Sequence, residues 1–452
     1  MAKSKSVFIC RNCGAESSKW IGRCPSCHEW NTYIEEIITR AKPADIPFTG
    51  RQGAKPELIG EIIHNPESRF VTGIGELDRL LGGGIVSGSV ILLGGEPGIG
   101  KSTLALQLAL KLNDKTVLYV SGEESEQQIK MRSERLSGGN SRCYILSETD
   151  LGNILTHAAQ VNPAMIVIDS VQTITTGQLE SPAGSVTQVR ECSAMLLRYA
   201  KTTGIPVILI GHITKDGTLA GPKVLEHIVD VVLLFEGDSN YIYRLLRPVK
   251  NRFGSTSELG IFEMLESGLR EVTNPSELFI NRHDEILSGI AIAATIDGIR
   301  PFMIETQALV STAVYGTPQR SSTGFDVRRL NMLLAVLEKR AGFRLGTRDV
   351  FLNIAGGLRV TDPAIDLAVI SAVLSSNLDI PVPSEICFAG EVGLSGEIRP
   401  VPRIEQRIRE ASKLGFERIV ISKYHKSINL PKGSPEIIKA GKIETLVKSI
   451  FA

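Results

Sequence analysis

A chain of 452 residues exceeds what one hydrophobic core usually organises, so two or three domains are expected. Its 42% hydrophobic and 22% charged residues exclude disorder over most of the length. With 50 Lys+Arg against 49 Asp+Glu, the net charge of +1 excludes a whole-molecule field as the source of any nucleic-acid affinity, which must come from local clusters.

The amino terminus, MAKSKSVFICRNC, has no apolar stretch of signal-peptide length, and no later run is long enough to span a membrane. A soluble, cytoplasmic protein with no membrane partner is expected. Four of the seven cysteines lie near the start, as the pairs Cys10/Cys13 and Cys24/Cys27. Two such knuckles can converge on one tetrahedral zinc ion, and residues 1–36 hold too little apolar surface to fold without it. Disulfides or free thiols are the alternative, which a reducing compartment disfavours. His28 could compete for a ligand position, but four sulfurs already close a structural site.

Residues 37–56 mix Pro, Gly and scattered charge with no apolar period and read as a linker. Across 57–275 the runs SVILLGG, TVLYVSG, CYILSE, AMIVIDS, IPVILIGH and DVVLLFEG alternate with helical patterns, which predicts a mostly parallel α/β sheet. Val186, Val189, Met195, Leu196 and Ala200 recur at helical spacing and predict a crossover helix. A second α/β region is expected over 276–452.

After SVILLGG comes Gly95-Glu96-Pro97-Gly98-Ile99-Gly100-Lys101-Ser102, followed by Thr103 and a helical pattern, which satisfies GxxxxGKS in its required strand–loop–helix setting. The glycines let backbone amides surround phosphate oxygens, Lys101 reaches the β/γ-phosphates of ATP, and Ser102 ligates Mg2+. Asp169, ending MIVIDS, is the expected second magnesium ligand. Glu123, just past the strand TVLYV, is the candidate general base, with a solvated acidic loop as the alternative; Glu124 fits that alternative better.

The run TGIGELDRLLGGGIVSGSVILLGGEPGIGKSTL, the four-cysteine module and the string Lys250-Asn251-Arg252-Phe253-Gly254 together resemble the bacterial RadA (Sms) family of DNA repair proteins, over essentially the whole chain. The resemblance implies an α/β protein with a zinc module, a RecA-like ATPase core and a Lon-protease-like carboxyl-terminal domain. It further implies a hexameric ATPase that binds single-stranded and branched DNA, works with a RecA-type recombinase and promotes branch migration.

By the same resemblance Glu123 stands at the catalytic glutamate and His212 at a γ-phosphate sensor, although a strand-end histidine also serves as an ordinary hydrogen-bonded residue. Lys215 and Lys223 fall in a segment similar to one that faces DNA, with a solvated loop as the competing reading. Lys250 and Arg252 resemble the finger pair that ring ATPases insert into a neighbouring subunit's site, with a solvated basic loop as the alternative.

In the Lon-like region the serine position holds Ala364 and the lysine position Glu405, so a proteolytically dead domain is expected. Residues 320–348 concentrate Arg320, Arg328, Arg329, Lys339, Arg340, Arg344 and Arg348 against Asp326 and Glu338. If these share a face they offer a DNA-contacting surface, and otherwise a solvated helix face. An ATP-fuelled protease and a nucleotide-switched assembly like the clock ATPases are the rival functions.

Overall fold

The computed structural model describes residues 5–10, 14–38, 58, 69–136, 139, 142–212, 224–236, 242–280, 287–313, 317–426, 428–430 and 433–451. The chain divides into two compact units, Met1–Val272 and Thr273–Ala452. Among the described residues no helix is long and apolar enough to cross a membrane.

At the amino terminus β1 (Lys5–Cys10) pairs antiparallel with β2 (Glu16–Ser17) and with β3 (Tyr33–Ile38). The short ribbon β4 (Arg69–Phe70) and β5 (Ile85–Val86) flanks α1 (Gly75–Leu80). Next come β6 (Val90–Gly95), α2 (Lys101–Lys111), β7 (Val117–Ser121), α3 (Glu126–Arg135), β8 (Cys143–Ser147), α4 (Leu151–Val161), β9 (Met165–Asp169), α5 (Val186–Thr203) and β10 (Val207–His212). The unit closes with α6 (Val224–Ile228), β11 (Val231–Glu236), β12 (Tyr243–Asn251), β13 (Gly260–Leu265) and β14 (Gly268–Glu271).

These strands form one sheet in the order β14-β13-β12-β11-β6-β10-β9-β7-β8. The segment from β11 to β8 is parallel throughout, and β12, β13 and β14 extend it antiparallel. Each of the six apolar runs in the sequence is a strand of the parallel part, and the expected crossover helix is α5.

The strands β6 and β9 are buried at every position, as a sheet covered on both faces requires. Alternation sorts the side chains. Ile91 and Leu93 face the core built on α2, with Leu104 and Leu108, while Val90 and Leu92 face the core built on α4 and α5, with Ile154 and Leu196.

The second unit holds α7 (Pro275–Phe279), β15 (Ile290–Asp297), β16 (Arg300–Thr312), β17 (Arg320–Thr323), α8 (Val327–Ala341), β18 (Arg348–Ile354), α9 (Asp366–Leu378) and β19 (Ile386–Ala389). It continues with β20 (Glu391–Val392), β21 (Ile398–Arg399), α10 (Ile404–Lys413), β22 (Arg418–Ser422), β23 (Glu436–Ala440) and α11 (Ile443–Phe451). Its main sheet runs β17-β18-β16-β15-β19-β22-β23.

Arg407 and Asp366 are charges sunk in this unit, and each is paired. Arg407, 1% exposed, donates to Asp362 Oδ2 at 2.6 Å and to the Ala294 carbonyl at 2.7 Å. The same Asp362 oxygen accepts the Ile296 amide at 2.9 Å. Asp366, at the start of α9, is fully buried against Arg329 and accepts the Val392 amide at 3.0 Å. Burial pushes its carboxyl above the usual range while Arg329 opposes that shift.

Removing one partner of a buried pair strands the other charge, so Arg407→Leu is expected to lower the unfolding free energy of the second unit by about 3–5 kcal/mol. Urea denaturation of the full chain, followed by a probe in that unit, measures the loss; an unchanged midpoint would contradict it.

Candidate nucleotide site and zinc centre

Parallel register decides what meets at the sheet edge. His212 pairs with Gly95, and Ser121 pairs with Asp169, so β6, β10, β9 and β7 all finish on the same side. That side is where open α/β sheets bind ligands.

Beyond β6 the loop turns through Gly98 at φ 77° and Gly100 at φ 114°, left-handed values that suit glycine alone. A Cβ on Gly100 would also lie 2.7 Å from Met264 Cε. Ile99 is buried and pins the loop to the core, while Glu96, Pro97 and Gly98 face solvent. Ser102 and Thr103 form the first turn of α2 directly after Lys101. This is the shape that aims backbone amides and a helix N-terminus at phosphate oxygens.

Lys101 is 3% exposed, and its Nζ donates to the Gly95 and Glu96 carbonyls, each at 2.8 Å. Burial lowers its pKa to about 8, a shift opposed by the carboxylates of Asp169, Glu123 and Glu96. A cation so sparsely solvated is poised to exchange carbonyl acceptors for phosphate oxygens.

Asp169 is buried at the end of β9, and the Tyr119 hydroxyl donates to its Oδ2 at 2.6 Å. Burial, reinforced by Asp169, raises the phenol well above its ordinary pKa and keeps it a donor. Glu123 accepts a 2.6 Å hydrogen bond from Ser170 Oγ at Oε1, and His212 Nε2 lies 3.6 Å from the same oxygen. His212 Nδ1 is buried without a hydrogen-bond partner among the described residues. Glu124 is instead engaged by Arg132.

Lys101, Glu123, Asp169 and His212 therefore converge at one edge, and two further residues that were not singled out from the sequence join them. Ser170 holds Glu123, and Tyr119 holds Asp169. Each left a faint trace: Ser170 directly follows the strand-end aspartate, and Tyr119 sits two residues before Ser121 on the same strand face.

Lys250 and Arg252 lie elsewhere. Lys250 pairs with Val232 and Nζ donates to the Glu226 and Val229 carbonyls at 2.6 and 2.7 Å. Burial, and then Arg252, lower its pKa. Arg252 Nη1 is 3.5 Å from Asp230 Oδ1, and Asp230 accepts the amide of Val90, where β6 begins. Arg252 is thus at the start of β6, and Lys250, level with Leu92 through Val232, turns its ammonium toward that end, while the phosphate loop is at the other, roughly 10–16 Å away by strand rise.

In the zinc module the sulfurs of Cys10, Cys24 and Cys27 lie within 4.8 Å of one another. Cys10 and Cys27 Sγ are 3.7 Å apart, matching the roughly 3.8 Å edge of a tetrahedral thiolate site with metal bonds of about 2.3 Å. Thr32 Oγ1 at 3.1 Å from Cys10 Sγ and Tyr33 Oη at 3.7 Å from Cys24 Sγ can donate to thiolates as outer partners. Cys13, Lys215 and Lys223 lie outside the described residues.

The basic run of the second unit does not share one role. Arg329 is tied to Asp366 and Glu391, Arg320 donates to Asn331 and Arg348 to Thr312. Arg328, Lys339, Arg340 and Arg344 are exposed. Ala364 is fully buried, and Glu405 accepts the Asn429 amide at 3.0 Å.

Ser170→Ala is expected to lower kcat about 10- to 100-fold, as loss of an outer partner does, with nucleotide affinity unchanged. Turnover and affinity measured separately test this; a fall in affinity alone would give the hydroxyl a different role. Because the nucleotide-free lysine titrates near pH 8, affinity for a non-hydrolysable ATP analogue is expected to hold below that pH and decline above it, by about tenfold per unit until the bound-state pKa is reached. Calorimetric titration across that range would expose a flat profile.

Comparison with known proteins assigns the parts. Residues 61–218 match the model of an AAA domain, 8–35 that of a rubredoxin metal binding domain, and 306–425 that of subunit ChlI of Mg-chelatase. The α/β fold thus comprises a zinc ribbon, a RecA-like ATP-binding core and a Lon-like α/β domain. A solved KaiC-like protein from Pyrococcus horikoshii aligns with 46% of this chain and 100% of its own, at 23% identity and a TM-score of 0.40. DNA repair protein RadA of Streptococcus pyogenes serotype M6 is 46% identical over 100% of both chains. DNA repair protein RadA of Bacillus subtilis is 50% identical over 93% of both. At that identity over nearly its full length, the chain belongs to the RadA family of DNA repair ATPases.

Proposed function

We propose that the protein is a DNA-stimulated ATPase that works as a ring, hexameric by resemblance, on single-stranded and branched DNA in the cytoplasm. It drives branch migration of recombination intermediates beside a RecA-type recombinase. The observation that carries the reading is the split of the machinery: lysine, base and metal carboxylate share one sheet edge, and the Lys250/Arg252 pair sits at the other. A pair roughly 10–16 Å from its own phosphate loop by strand rise serves hydrolysis only when a neighbouring subunit presents its loop there.

At each such junction Gly95 to Thr103 cradle the triphosphate and Lys101 holds its β/γ oxygens. Ser102 and Asp169 would hold Mg2+, and the all-oxygen donor pair suits that ion. Bound there, magnesium would neutralise charge on the β/γ-phosphates. Glu123 accepts the proton of the attacking water, Ser170 fixes the carboxylate, and His212 lies beside it where it can sense the γ-phosphate. Lys250 and Arg252 stabilise transition-state charge in trans.

DNA is contacted by Lys215 and Lys223 and by the exposed Arg328, Arg340 and Arg344 of the second unit. Arg329 was expected among them, but its bond to buried Asp366 favours a structural role. Ala364 and Glu405 leave the second unit without a serine nucleophile or its lysine, so the domain serves as scaffold and DNA surface.

ATP turnover is expected to rise on adding single-stranded DNA, and an unstimulated enzyme would favour a nucleotide switch. Lys101→Ala and Arg252→Ala variants should each be inactive alone. Mixed, they should regain part of the activity, because an intact loop then meets an intact finger. Absence of rescue in verified mixed rings would overturn action in trans.

A further inference from the structure

The chain's only two tryptophans, Trp20 and Trp30, both lie in the zinc ribbon and are 55% and 67% exposed. Indoles this open are unusual, since each leaves a large apolar area in water. They are also gathered. Arg23 and Trp30 form a β-bridge, and the Asn31 amide donates 2.7 Å to the Gly22 carbonyl, which closes the turn between the two rings.

Gly22 has a specific place in this. A Cβ there would stand 3.6 Å from Trp20 Cη2 and 3.9 Å from Trp30 Cζ3, so both ring edges border the same small gap. The Arg23 guanidinium is 5.8 Å from the Trp30 ring centroid, and its Nε donates to the His28 carbonyl at 3.0 Å, which fixes the cation beside the indole. Backbone bonds of the cysteine knuckle brace the same turn, the Cys24 amide donating to Glu29 O and the His28 amide to Cys24 O.

The charges beside the rings decide the partner. From Ser17 to Asn31 the ionisable side chains other than cysteine are Lys19, Arg23, His28 and Glu29, and both exposed full cations adjoin Trp20 or the glycine. Adjacent exposed aromatic rings with flanking cations are what unstacked bases and their phosphates require, whereas a duplex keeps its base faces covered.

We propose that Trp20, Trp30 and Arg23 form a stacking platform for single-stranded nucleic acid on the zinc ribbon, separate from the DNA contacts of the ATPase ring and independent of ATP. The proposal rests on the DNA-binding reading above and adds a site to it. The ribbon holds the bases of an unpaired strand while Lys19 and Arg23 neutralise phosphate.

Because both tryptophans belong to this platform, the intrinsic emission of the full chain reports on it alone. Zinc-replete, nucleotide-free protein is titrated with dye-labelled oligothymidylate while dye anisotropy and tryptophan emission are read together. Stacking is expected to quench the emission in step with the anisotropy rise. Trp30→Ala should weaken the affinity read by quenching of the remaining Trp20 roughly 5- to 100-fold, and Trp30→Phe should largely retain it. Elemental analysis of each variant confirms that the ribbon is still metallated.

Anisotropy that rises with unchanged emission would overturn the platform while leaving the DNA-binding reading intact. Absence of both signals would overturn both readings. Equal quenching by a duplex oligonucleotide would also overturn the claim, because a closed duplex offers no free base faces along its length.

Discussion

Parallel pairing of β6 with β10, of β10 with β9 and of β9 with β7 is the constraint on which the remainder of the first unit depends. It brings residues from four distant stretches of sequence to one edge, so that a loop lysine, a strand-end aspartate, a glutamate and a histidine become neighbours. The same pairing forces β6 to be apolar on both faces, with one core under α2 and another under α4 and α5. A slip of one residue at β10 would exchange the faces of that strand and withdraw His212 from Glu123.

The electrostatics follow from that crowding. Lys101 has lost most of its water, and three carboxylates keep it charged through much of the neutral range. Asp169 is buried but not abandoned, since the Tyr119 hydroxyl donates to it and Lys101 stands nearby as an opposite charge. The second unit solves a similar problem differently, matching Asp362 and Asp366 each with an arginine and a backbone amide.

Much of this was legible in the chain. The phosphate loop, the six strands of the parallel sheet and the cysteine knuckles rest on local pattern, because glycine freedom, apolar alternation and thiolate spacing are properties of short segments. Pairings across long separations were not legible. Ser170 meets Glu123 and Arg329 meets Asp366 only through tertiary structure, and a basic run such as 320–348 gives no sign of which arginine is already committed. The split of Lys250 and Arg252 from their own loop likewise depends on β12 running antiparallel to β11, which no local motif announces.

The two carbonyl acceptors of Lys101 have a kinetic meaning. An ammonium buried beside an empty loop would otherwise be stranded each time a phosphate product departed, and that cost would fall on the release step. Here the Gly95 and Glu96 carbonyls are already within hydrogen-bonding distance, so the cation passes from one set of oxygens to another without first returning to water. The loop therefore has a stable resting form, in which release of a bound anion does not require re-solvation of this one side chain.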